Sequence, residues 1–150
     1  MKRVLIFTSI LFIIFSMNSC QTVVDESIVL ELYKKSLKPN LAGLLGVIID
    51  SNNDPVVNEV VRLGEVVWNN DKSVGNFIID GAHSPSTITD ENGIFVFLNI
   101  EPLEYVIVVR NVDVNPVIIP ELDDSNKAAI YSPGENEILD VGILYINALE

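Results

Sequence analysis

The sequence predicts an all-β domain, a sandwich of two sheets, behind a short export leader. Three observations carry that reading. From Leu44 onward, apolar residues alternate with period two, and clusters of Asn, Asp, Gly and Pro recur about every eight to twelve residues. No helical period appears after Asn40. The 150 residues are 49% apolar and only 20% charged, enough for one packed core and too apolar for disorder.

The elements follow in order. Asp25, Glu26 and Ser27 precede a helix-compatible stretch from Ile28 to Lys38, with Lys34, Lys35 and Lys38 toward its end as the helix dipole prefers. Pro39-Asn40 stops it, and a short amphipathic helix and an irregular stalk both fit. Leu44 to Asp50 reads as the first strand, ended by Ser51-Asn52-Asn53-Asp54-Pro55. Val60 to Trp68 is the second, Phe77 to Asp80 a short third, and Thr87 to Thr89 a fourth. Asp90-Glu91-Asn92-Gly93 is a turn suited to positive φ at Asn92 and Gly93. Ile94 to Leu98 follows, with Phe95 and Phe97 on one face. Tyr105 to Arg110 is the most apolar strand and belongs at a sheet centre. Pro116 and Pro120 bracket Val117 to Ile119 and place it at an edge. Ala128 to Tyr131 and Ile138 to Ile146 complete the sheets.

The first residues read as an address. Lys2 and Arg3 precede an apolar run from Val4 to Phe15, then Ser16-Met17-Asn18-Ser19-Cys20. A basic start, a short apolar stretch and small residues before a cleavage point make a secretory signal. The run is shorter than the ~20 residues a spanning helix needs. The single cysteine of the chain falls where the signal ends, an arrangement that resembles a bacterial lipoprotein signal, cut before a Cys that carries lipid. Ser19 fits that pattern, whereas Met17 and Asn18 depart from its usual flanks. The resulting organisation is a signal peptide over residues 1–19, a tether over 20–42 and a β-sandwich domain over 43–150.

Composition removes several functions. The chain carries 9 Lys and Arg against 21 Asp and Glu, and loss of Lys2 and Arg3 with the leader takes the charge from −12 to −14. Such a chain has few groups to displace counterions from nucleic acid, and anionic headgroups repel it, so attachment rests on the lipid. One Cys and one His leave no zinc site of the usual kind and little nucleophile–base chemistry. His83 sits beside Ser84 in a loop, with no Gly-x-Ser-x-Gly elbow in the chain. Asp50 to Asp54 begins like a calcium loop but fails at Pro55, where a Gly is needed, and at Val61, where a bidentate Glu is needed. Asp123-Asp124 is a weaker version. No metal or other cofactor is expected, and the acids fall in turns, where they keep β edges solvated.

Several segments together resemble the carboxypeptidase regulatory-like domain, a transthyretin-like Greek-key β-sandwich of about seven strands. They are Gly46-Val47-Ile48-Ile49-Asp50, Asp54-Pro55-Val56 and Val60-Val61-Arg62-Leu63 in the first half. In the second half they are Thr89-Asp90-Glu91-Asn92-Gly93-Ile94-Phe95-Val96-Phe97, Ile100 to Tyr105, and Leu139 to Tyr145. Leu103 stands where the family has Gly, so a type I turn or a shifted loop is expected before Tyr105. The resemblance implies a scaffold without catalytic residues of its own.

The function expected is therefore non-enzymatic: an exported lipoprotein, anchored through Cys20 at the extracytoplasmic face of the envelope, whose sandwich binds or builds. Its partners would be the membrane, through that lipid, and an envelope protein or a glycan. The alternative is a carbohydrate- or peptidoglycan-binding accessory module, for which Trp68 and Tyr131 are the stacking candidates, although Trp68 closes an apolar strand and is expected in the core. Some related surface domains form Lys–Asn crosslinks, but the first strand here has no Lys.

Overall fold

A computed structural model describes residues 26–110 and 115–147. The leader, Cys20 and the start of the tether lie outside the described residues. One helix and eight strands follow: α1 (Glu26–Ser36), β1 (Ala42–Ile49), β2 (Val60–Trp68), β3 (Gly75–Ile78), β4 (Ser86–Ile88), β5 (Ile94–Ile100), β6 (Tyr105–Val109), β7 (Val117–Ile118) and β8 (Ile138–Tyr145).

The strands form two sheets packed as a sandwich. The three-stranded sheet runs β5-β1-β8, with β1 antiparallel to β5 and parallel to β8. The five-stranded sheet runs β3-β2-β6-β7, and β4 pairs with the other half of β2. Neighbours in each sheet are mostly distant in sequence, so the chain crosses repeatedly between sheets and sews them together. Alternation then sorts side chains: Leu44 and Ile48, Phe95 and Phe97, Val61 and Leu63, and Ile107 and Val109 all point into the shared core. Phe95 and Phe97 meet edge to face, with ring centroids 6.0 Å apart. All five residues of β6 are buried, in keeping with its interior place in the larger sheet.

The structure corrects the strand reading in places, each for a local reason. The tether stretch is helical over Glu26–Ser36, and β1 begins at Ala42 because Asn40, at φ 63, redirects the chain. β3 runs Gly75–Ile78, not Phe77–Asp80, because Trp68 pairs with Gly75 across the hairpin and Asp80 is diverted into the next turn. Residues 128–131 form no strand. They are held by the isolated bridges Pro120–Ala128 and Tyr105–Tyr131 and by the Ala129 N–H on the Ile119 carbonyl at 2.9 Å, and Pro120 has no N–H with which to continue a ladder. β5 runs on to Ile100 and β8 stops at Tyr145. In the turn before β5 only Gly93 has positive φ, at 75°; Asn92 instead donates its N–H to Asp90 Oδ1 at 2.8 Å. Leu103 avoids positive φ, closing a tight turn with its N–H on the Glu101 carbonyl at 2.9 Å, while Asn99 takes the left-handed position at φ 59.

Candidate functional site

Two concave places and one exposed loop are the sites to weigh. The first concavity is a groove of about 440 Å³ on the outer face of the five-stranded sheet. Residues 66 and 68 of β2 alternate away from the core, and the register of β2 with β3 brings Phe77 beside Val66 on that same face. Val66 and Val106 floor the groove, Trp68 and Phe77 stand on the β3 side, and Asn126, Lys127 and Ile130 close it from the 121–130 loop.

The local sequence builds this groove closely. Asn69 Oδ1 accepts the N–H of Val74 at 3.1 Å, and the side chains of Asn69, Asp71 and Ser73 interlock, so the turn between β2 and β3 is rigid. The Ser73 hydroxyl, with its backbone N–H, holds the Asp71 carboxyl below the usual carboxylate range. The Trp68 ring lies over Gly75, where a Cβ would come within 3.0 Å of it. The Trp68 Nε1–H donates to Glu104, which fixes the ring plane. Trp68 is half-buried and Phe77 is 38% exposed, so two aromatic rings border a cavity open to solvent. Behind Asn126 and Lys127 of the opposite wall, Asp124 is held below its ordinary range by the Asn126 N–H and then by Lys127, whose Nζ lies 3.2 Å away.

The second concavity, about 570 Å³, lies where β2, β4 and β5 part, with Glu65, Glu101, Asp80 and Tyr105 among its walls. Tyr105 is 3% exposed and its hydroxyl donates to the Glu101 carbonyl at 2.9 Å. Burial, reinforced by the charges of Glu65 and Glu101, pushes its phenol up to about 12.

His83 sits at the mouth of this cleft with its side chain 84% exposed, and Nδ1 lies 2.9 Å from Asp80 Oδ2. Asp80 is held below the usual carboxylate range first by the Ala82 N–H and then by His83. Ser84 is taken up elsewhere: its Oγ accepts the N–H of Asp80 at 2.9 Å. His83 and Ser84 are thus neighbours engaged separately by Asp80.

The acidic turns are folded on themselves. Asp50 Oδ1 accepts the N–H groups of Asn52 and Asp54, at 2.8 and 3.0 Å. Asp124 Oδ1 accepts that of Asn126 at 3.1 Å. Among the described residues no cluster of three or more His, Cys, Asp or Glu is placed to hold a metal ion. Among them, too, no helix is long and apolar enough to cross a membrane.

Of the two stacking candidates, Trp68 lines the groove and is half-buried there, not in the core as its place at the end of an apolar strand led one to expect, and Tyr131 does not line it. Tyr131 packs against the core, and burial raises its phenol. Sequence reasoning missed Phe77, Gly75 and Glu104. A signal for the first two existed: with a six-residue turn after Trp68, Gly75 falls opposite the indole and Phe77 falls on its face. Glu104 carries no such signal, because its contact depends on how β6 lies beside β2. The β7 edge offers just two strand residues, Val117 and Ile118, a short template for strand addition.

No family model matches this chain, and no curated protein matches it. Solved structures share parts of its shape. A 9R-lipoxygenase from Cyanothece is 17% identical, with 81% of this chain covering 22% of that one at a TM-score of 0.41. The major pilin subunit of Bacillus cereus is 19% identical, with 73% of this chain covering 30% of that one at 0.39. A candidate carbohydrate binding protein from Pseudomonas aeruginosa is 14% identical, with 77% of this chain covering 96% of that one at 0.44. The chain therefore spans less than a third of the lipoxygenase and of the pilin it matches.

Proposed function

We propose that this chain is a non-catalytic envelope lipoprotein, anchored through Cys20, whose carboxypeptidase regulatory-like sandwich binds a saccharide in the groove beside Trp68. The observation that carries the reading is the pairing of Trp68 and Phe77 across one open groove with Asn126, Lys127 and Glu121 on its rim. A sugar ring has an apolar C–H face that stacks on an aromatic ring and an equator of hydroxyls that needs donors and acceptors. The groove supplies both kinds of partner. The rigid turn and the Glu104 contact mean that little ordering is needed on binding. Support for a non-catalytic role comes from Asp80, which engages both His83 and Ser84 and leaves them uncoupled.

Trp68 is the one tryptophan of the chain, so its fluorescence reports this groove alone. Titration of the full chain with chitin oligosaccharides and with peptidoglycan fragments should shift or quench that emission saturably. Phe77→Ala should weaken the effect without changing the unfolding midpoint much, since Phe77 is an exposed side chain. An unchanged emission with every glycan would remove the saccharide reading and favour a protein partner.

A further inference from the structure

The outer face of the three-stranded sheet breaks the rule that an exposed sheet face is polar. β1 reads AGLLGVII and is apolar on both faces. Across the sheet Val47 pairs with Ile94 on one side and Ile143 on the other, and Ile49 pairs with Tyr145. Ile143 is 56% exposed and Tyr145 58%. The one charged side chain in these rows is Asp140, beside Leu45, and its Oδ1 is held by the Gly142 N–H. At the other end of the face, α1 leads in through Lys34, Lys35 and Lys38, all exposed and three of the seven basic residues that follow Cys20; Lys34 is shared with Glu31, 3.4 Å away.

We infer that this face rests on the lipid bilayer, with the Lys34–Lys38 end among the headgroups and Ile143 and Tyr145 against the acyl boundary. Three points favour lipid over a second protein. Three strands about 4.8 Å apart, two of eight residues and one of seven, present about 14 by 26 Å, well short of the roughly 800 Å² per partner of a stable complex. Cys20 lies six positions before Glu26, so a lipid on it holds the helix within about 20 Å of the bilayer. Contacts too weak to hold a free protein then act at high effective concentration. Finally, Lys35 and Lys38, which carry their charge beside the Glu31–Lys34 pair, match anionic headgroups although the chain as a whole does not, and Tyr is a residue that settles at the membrane interface. The inference rests on the lipid-anchor reading for its setting. It also orients the molecule: the sheets are back to back, so a bilayer under the three-stranded sheet leaves the Trp68 groove facing away from the membrane.

The test separates the face from the anchor. Because Cys20 is the sole cysteine, the chain from Cys20 onward, without the apolar leader, can be coupled through it to maleimide-headgroup lipid, whatever the cell does. The vesicles are an equal mixture of phosphatidylethanolamine and phosphatidylglycerol, with and without brominated acyl chains. A Tyr145→Trp, Trp68→Phe chain should show blue-shifted emission that brominated lipid quenches, whereas Trp68 of the otherwise native chain should be unaffected. Adding Ile143→Asp should abolish the quenching. Equal behaviour of the two indoles overturns the inference, as does a self-associated species in detergent that Ile143→Asp converts to monomer. Failure of the anchor itself would show separately, as a chain that cells never lipidate.

Discussion

Asn99 accepts the backbone N–H of Lys38 on its Oδ1 at 2.7 Å, although 61 residues separate them. Two residues further on, the N–H of Asn40 donates to Asn136 Oδ1 at 2.9 Å. One carboxamide comes from the end of β5 and the other from the turn before β8, the two edge strands of the smaller sheet. The pair clamps the link between α1 and β1, the segment through which any pull from a tether reaches the fold. Both clamping residues have left-handed backbone, φ 59 and φ 60, which Asn tolerates better than most residues.

Replacing Asn99 therefore has two separable effects. Asn99→Gly keeps the backbone and loses the hydrogen bond, at about 1 kcal/mol. Asn99→Ala adds the left-handed penalty and should cost about 2 kcal/mol or more. Urea unfolding of both variants checks this, and equal midpoints would show that the backbone conformation carries no cost at this site.

Gly93 and Gly142 make a second contrast, since both have positive φ, 75° and 71°. A Cβ on Gly93 would lie 2.4 Å from the carbonyl oxygen of Ile48, in the ladder between β1 and the turn. At Gly142, the extra residue of a bulge in β8, a Cβ meets nothing within 4 Å. Gly142→Ala should cost about 1 kcal/mol, the left-handed term alone. Gly93→Ala should cost about 3 kcal/mol or more, because backbone must move as well. The thermal midpoints of the two variants should differ by several degrees.

The strands that sequence reading placed best are those whose two ends are marked by turn chemistry. β2 runs from Val60 to Trp68 as expected because Asn69 starts the next turn. The misplaced strands lack such marks. Gly75 reads as a loop glycine unless the six-residue turn from Trp68 is counted, and Ala128–Tyr131 looks like a strand until Pro120 denies it a neighbour. The candidate site was legible only in part for the same reason. Trp68 stands out by type, but whether it is core or platform depends on Glu104 and Phe77, and those arrive by tertiary pairing. The apolar outer face of the smaller sheet was written in β1, whose unbroken apolar run looks the same for a strand buried on both faces.

Tyr105 gives the fold an alkaline limit. Its phenol titrates at about 12 in the folded chain against the ordinary 10.0, because burial and the neighbouring Glu65 and Glu101 disfavour the phenolate. A folded-state value raised above the unfolded one makes a stability contribution that is complete below pH 10 and lost as pH climbs toward 12. Tyrosinate absorbance should therefore rise in more than one step, with the late step coinciding with loss of the sheet circular dichroism signal. Tyr105→Phe should blunt this alkaline sensitivity while costing about 1 kcal/mol at neutral pH for the lost bond to the Glu101 carbonyl. A late step that persists in the variant would assign it to Tyr131, whose phenol burial also raises.

The proposed anchor is testable through Cys20 alone. If lipid on Cys20 holds the chain, Cys20→Ala should move it from the membrane fraction to the soluble fraction and remove the mass of the acyl groups. The apolar face beside Ile143 sharpens the expectation. A face of that size is too small to retain a free protein, but it could leave a residue bound at low ionic strength through Lys34, Lys35 and Lys38. The residual fraction should fall with added salt in Cys20→Ala, and salt should leave the native chain in place. A Cys20→Ala chain that has lost its leader and still stays wholly membrane-bound in high salt would sink the lipid reading, since no other described feature holds that tightly. If Met17 and Asn18 limit the proposed cut, changing both to residues usual in lipoprotein signals, Met17→Leu and Asn18→Ala, should raise the lipidated share.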